Sequence, residues 1–186
     1  MIHIKQGPSI LQKGFTLVEL LIVVIILAIL AAIVVPQFAS TTDDAKLAAL
    51  DTNLSNIRAS IDLYYQQHGH YPGNAIASGA TCPNTGTAGA GDLTSPATRA
   101  TAFMAQLSQY TNAAGQACST TDATFKYGPY LKKDVLPANP LGTSNALLIT
   151  TAGNLLVTGV AAPGAGWSFD VITGKFIADH VDYDDR

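Results

Sequence analysis

The sequence predicts an α+β fold: one long N-terminal helix, membrane-length in its first half and amphipathic in its second, packed on a small antiparallel β-sheet. Three observations predict it. The sixteen residues from Leu20 to Val35 carry no polar side chain. Leu47, Leu50, Leu54, Ile57, Ile61 and Tyr64 then recur at steps of three and four, an apolar stripe on one helical face. Short apolar runs separated by Gly-containing turns fill the C-terminal quarter.

Phe15 to Val35 spans 21 residues, about 31 Å of helix at 1.5 Å per residue, enough to cross a hydrocarbon core. An ordinary secretory signal has a shorter apolar region followed by a small-residue cleavage site. Here a polar leader ending in Lys13-Gly14 comes first, and no such site follows closely. The only glutamate of the chain, Glu19, lies inside this run. A carboxylate there is costly, about 2.5–3.5 kcal/mol at a bilayer centre and less near the interface. Lys5 and Lys13, with no acid before residue 14, predict a cytoplasmic N-terminus and an exported domain. Pro36 removes a backbone donor and predicts a kink or local melting near 33–36.

Beyond Pro36 the polar face carries Asp43, Asp44, Lys46, Asp51, Asn53, Arg58 and Asp62, and Gly69 and Pro72 end the helix. Residues 73–101 are rich in Gly, Ala, Thr, Ser and Asn and read as a long surface loop. Ser95-Pro96 reads as the N-cap and first turn of a short helix with Phe103, Leu107 and Tyr110 on one face. The strand candidates are Ala146–Thr151, Asn154–Val160, Trp167–Ile172 and Lys175–Ala178. Tight turns at Thr151–Asn154 and Thr173-Gly174 predict hairpins, with Trp167 and Phe169 packing on or near the helix.

The 186 residues leave roughly 150 for one soluble domain, a usual single-domain size. Charged residues are 12% of the chain, against about 25% in a typical soluble protein; a surface partly covered by neighbours explains the difference. Net charge is −3, and without Lys5 and Lys13 eight basic residues face thirteen acidic ones. No basic face for nucleic acid is present. Cys82 and Cys118 both follow the apolar run. An oxidising compartment predicts a disulfide between them; two unrelated buried thiols are the alternative.

The stretch Lys13-Gly14-Phe15-Thr16-Leu17-Val18-Glu19-Leu20-Leu21-Ile22-Val23-Val24 resembles the N-terminal signature of type IV pilins and type II secretion pseudopilins, and Pro36 matches a proline common there. The resemblance is strong over about 30 residues. It implies a pilin-like fold with residues 1–14 as a cytoplasmic leader, 15–36 as transmembrane and filament-core helix, and 37–186 as the periplasmic or extracellular domain. A prepilin peptidase would cut between Gly14 and Phe15, and Phe15 would be N-methylated. Glu19 would pair with the new amine of Phe15 on a neighbouring subunit, because an unpaired carboxylate in a dry filament core is costly. Implied partners are further copies of the chain, minor pilins or pseudopilins, an inner-membrane assembly platform and the membrane. Tyr127–Lys133 and Leu136–Pro140 resemble secretion-type subunits.

No enzyme is readable. There is no P-loop, no G-x-G-x-x-G after a strand, and no Ser/His/Asp arrangement. His68 and His70 read as a solvated helix terminus rather than metal ligands. Asp179, Asp182, Asp184 and Asp185 read as a solvated acidic tail. Major secretion pseudopilins carry a calcium site near the C-terminus, but Asn139-Pro140-Leu141-Gly142 stands where their Asp-Pro-Trp-Gly lead-in would be. No metal or cofactor is therefore predicted. The rival reading is a membrane-anchored periplasmic binding domain or enzyme that does not polymerise.

Overall fold

The computed structural model describes residues 14–142, 144–155, 157–159, 166–183 and 185, without the side chains of 34–40. The chain divides between Asp44 and Ala45 into two compact units. Helix α1, Leu17–His68, runs through both, and its helical backbone is continuous across Pro36. Leader residues 1–13 and the side chain of Pro36 lie outside the described set.

In the second unit the α1 stripe becomes the core. Leu50, Leu54, Ile57, Ile61 and Tyr64 are buried against Phe103, Leu107, Trp167, Phe169 and Phe176. Full burial of each aliphatic or aromatic side chain is worth about 1.5–3 kcal/mol. Gly69, at φ +72°, ends the helix by donating its N–H to the Tyr65 carbonyl. Helix α2, Pro96–Ser108, starts as the sequence predicts: the Ser95 hydroxyl accepts the Thr98 N–H, the Thr98 hydroxyl accepts the Ser95 N–H, and Pro96 occupies the first turn.

The β structure is two small sheets. β1 (Tyr110–Thr111) pairs antiparallel with β2 (Ala117–Cys118). β3 (Leu147–Thr150), β4 (Trp167–Asp170) and β5 (Phe176–Ala178) form a three-stranded sheet in that order. β4 and β5 make the expected hairpin, but β3 lies parallel to β4. The sheet is mixed, not antiparallel, and Thr151–Asn154 is not a hairpin turn. No strand is present at 154–155 or 157–159; Leu156 and Val160 lie outside the described residues.

Two side chains account for this correction. Asp170, buried at the end of β4, accepts the Gly153 N–H at 2.9 Å, with Ile172 N–H at 2.8 Å on its other oxygen. The Lys175 ammonium donates to the Leu155 and Val157 carbonyls at 2.9 and 3.0 Å. Backbone groups that a hairpin would pair in a ladder are held here by side chains. The chain from residue 151 to 166 is then long enough for the crossover that parallel strands require.

Of the predicted long loop, 73–101, residues from Pro96 onward belong to α2, and 73–95 are stitched to β2. Cys82 is disulfide-bonded to Cys118. Ala117 donates its N–H to Ala77, and Gly89 donates to the Ala117 carbonyl at 2.9 and 2.8 Å. Ala77, Ala102, Ala105 and Ala117 form a small buried cluster where the loop crosses α2. A bond with a sequence separation of 36 stabilises by about 3–4 kcal/mol in the chain-entropy account.

The sheet is tied to the helix at its far edge. Asp170 donates its N–H to the Lys175 carbonyl and Asp179 donates to the Gly166 carbonyl, so Phe176, opposite Phe169, turns its carbonyl away from β4. The Arg58 guanidinium donates to that carbonyl twice, at 3.0 and 2.7 Å. Arg58, which reads as a polar-face residue in the sequence, is thus a tether between α1 and β5.

Candidate functional site: the N-terminal assembly segment

Gly14 to Thr16 precede α1 as non-helical chain, and a side chain at Gly14 would meet nothing within 4 Å. Thr16 is the N-cap of α1. Its hydroxyl accepts the Glu19 N–H at 3.2 Å and its carbonyl accepts the Leu20 N–H at 3.2 Å. Thr16-x-x-Glu19 has the spacing of a capping box, a signal present in the sequence that singles out Thr16 beside the predicted residues. Glu19 lies in the first helical turn, where the positive end of the helix dipole favours a carboxylate.

The helix that follows exposes apolar side chains all round. Every large apolar residue described between Phe15 and Ile33 is exposed, from 47% at Val23 to 82% at Leu17. Among the described residues no helix is long and apolar enough to cross a membrane. The described apolar side chains end at Ile33, and in sequence the run continues through Val34 and Val35. An exposed apolar surface on this scale marks an interaction surface. Ala28, Ala31 and Ala32 leave room on it for close helix approach.

The predicted residues divide between the two units. Gly14, Phe15 and Glu19 fall in the N-terminal unit, and Cys82 and Cys118 in the globular one. His68 is not a solvated helix terminus. Its Nδ1 donates to the Tyr64 carbonyl at 3.0 Å, its Nε2 accepts from the Thr111 hydroxyl at 3.0 Å, and its ring stacks on Tyr64 at 4.0 Å. Among the described residues no three His, Cys, Asp or Glu side chains come together to hold a metal; Asp184 lies outside them.

Burial is the main cause that lowers the His68 pKa, with His70 acting in the same direction; the Tyr64 hydrogen bond opposes both. The neutral ring is the folded form, so an unfolded chain takes up the proton more readily. The stability that His68 adds is complete above its ordinary pKa of about 6.5 and falls as pH drops below it. Denaturant titrations from pH 7.5 to 5 should show this decline, and His68→Gln should flatten it. An equal decline in the variant would assign it to other groups.

The prokaryotic N-terminal methylation motif matches residues 11–35. The chain is 46% identical over 61 residues to the type II secretion system core protein G of Pseudomonas aeruginosa, a match covering 33% of this chain and 43% of that one. It is 39% identical over 69 residues to a fimbrial protein of Neisseria meningitidis, covering 37% and 41%. A major component of the type IV narrow pilus of Thermus thermophilus is 46% identical over 48 residues, covering 26% and 41%. The chain thus spans less than half the length of these relatives. No solved structure matches. Over its N-terminal third, the chain is similar to type IV pilins and type II secretion pseudopilins.

Proposed function

We propose that this protein is a structural subunit that polymerises into a type IV pilus-like or type II secretion pseudopilus filament after removal of residues 1–14. The observation that carries the reading is the capped, all-round apolar helix from Leu17 to Ile33, starting beside a Gly14–Phe15 junction inside the matched methylation motif. In this reading the chain waits as a single-pass inner-membrane precursor with its domain outside. Prepilin peptidase exposes Phe15, which is methylated, and an inner-membrane platform moves the subunit from lipid into the filament. The apolar segments form the filament core and the pilin-like domains coat it, joined by minor subunits. Pro36 permits a kink between core and coat. The role is non-enzymatic.

The experiment is to block processing and measure assembly. A Gly14→Val chain that mass spectrometry shows to retain residues 1–14 should form no filaments, whereas wild-type filaments should contain chains beginning at Phe15. Filaments built from uncleaved chains overturn the proposal. Deleting the gene and scoring surface fibres against exoprotein release separates pilus from pseudopilus.

A further inference from the structure

A groove of about 510 Å³ lies between the C-terminal half of α1 and residues 131–138. Ile57, Leu131, Val135 and Leu136 give it apolar walls, and its only charged lining residues are Lys132 and Lys133. Both lysines are exposed, and Val135 is 52% exposed. Neighbouring Asp134 lines a separate cavity beside α2. The groove therefore presents two positive charges beside uncovered apolar surface.

The complementary surface is on the same chain, just after β5. The sequence from Asp179 to Asp185 holds four aspartates and is followed by Arg186; Asp179 is buried rather than part of a solvated tail, so the exposed acids among the described residues are Asp182 and Asp185. Val181 is 51% exposed, the Asp182 side chain is 74% exposed, and Asp185 is exposed. In its own chain this segment is already held as a turn. Asp182 lies 3.7 Å from the His180 ring, the Tyr183 N–H donates to the His180 carbonyl at 3.0 Å, and Tyr183 packs on the core. The other acidic stretch suits the groove less well: on α1, Lys46 lies between Asp43/Asp44 and Asp51.

We propose that these two surfaces bind each other between copies: the Lys132/Lys133 groove of one subunit takes the His180–Tyr183 turn and Asp185 of a second. The inference rests on the polymerising reading and names a domain-to-domain contact within it. The apolar Val181 matches the apolar walls, and the aspartates match the lysines. Because groove and turn are different surfaces, the contact is head-to-tail and open-ended, the type that builds helical filaments. Exposed ion pairs are individually weak and screened by salt, so the contact adds to the helical core and should weaken as salt rises.

The test is a cysteine pair, Lys133→Cys with Asp185→Cys, in full-length filaments under mild oxidation. A ladder of dimers, trimers and higher species is expected. A fast-migrating cross-linked monomer, meaning a chain whose own turn fills its groove, overturns the proposal, as does the absence of cross-links. Charge reversal supplies the second arm. Lys132→Glu/Lys133→Glu and Asp182→Lys/Asp185→Lys should each lower filament yield at least fivefold, and combining them should restore most of it. Restoration by Asp43→Lys/Asp44→Lys instead, or no loss from either reversal, overturns it. Filaments of the cysteine variant that give no ladder remove the contact alone. A wild-type chain that forms no filaments removes the polymerising reading and the contact with it.

Discussion

Replacing Glu19 by alanine is expected to give a subunit that is cleaved and membrane-inserted but enters filaments at least tenfold less often. Two terms act in the same direction. If the proposed pair with a neighbour's Phe15 amine forms, removing its carboxylate costs about 3–5 kcal/mol because the other charge is left unpaired. Removing the carboxylate also relieves its cost in lipid, which stabilises the waiting subunit. Thr16→Ala is the control. It loses the hydroxyl that accepts the Glu19 N–H, at a cost of about 1 kcal/mol, and leaves the carboxylate in place, so its yield should fall less. The readouts are processed subunit in membranes and subunit in sheared filaments. A normal filament yield for Glu19→Ala would remove the charge pair from the assembly mechanism.

The second large effect is in the domain. Gln106 on α2 is fully buried and makes three hydrogen bonds. Its oxygen accepts the Gly73 N–H at 2.7 Å, and its amide donates to the Ala75 and Gly115 carbonyls, each at 2.9 Å. One side chain thus fastens the loop after α1 and the β1–β2 turn to α2. Gln106→Leu conserves volume and leaves three backbone groups unpaired. At about 1–3 kcal/mol per orphaned group, with some relaxation, the loss should be about 3–5 kcal/mol, or roughly 10 °C in melting temperature. A shift below about 3 °C would mean that water replaces the amide.

The sequence carries the helical half of this architecture openly. The steps from Leu47 to Tyr64 place one face inward whatever that face meets, and Ser95-Pro96 states where α2 begins. The sheet is less legible for a physical reason. Alternation identifies a strand but neither its partner nor its direction, and Thr151–Asn154 has the composition of a hairpin turn. What directs the chain away is the Asp170 carboxylate and the Lys175 ammonium, whose partners are known only once β4 and β5 are in place. Gln106 is hidden in the same way: its three partners lie nine to thirty-three residues away. In the assembly segment, the matched motif and the Thr16-x-x-Glu19 spacing are local, so that region is readable without the fold.

The outward edge of β5 has a consequence for a chain proposed to assemble with copies of itself. Its Phe176 carbonyl is occupied by Arg58, and its Ala178 carbonyl accepts the His180 N–H at 2.9 Å. An open strand edge is a template on which a second chain can add a strand, and natural sheets blunt such edges. In the proposed filament, subunits would meet one another's sheets at high local concentration. To pair with either acceptor, an added strand would first have to displace Arg58 or the His180 N–H. In the proposed filament, that occupied edge would favour sheets that stay separate.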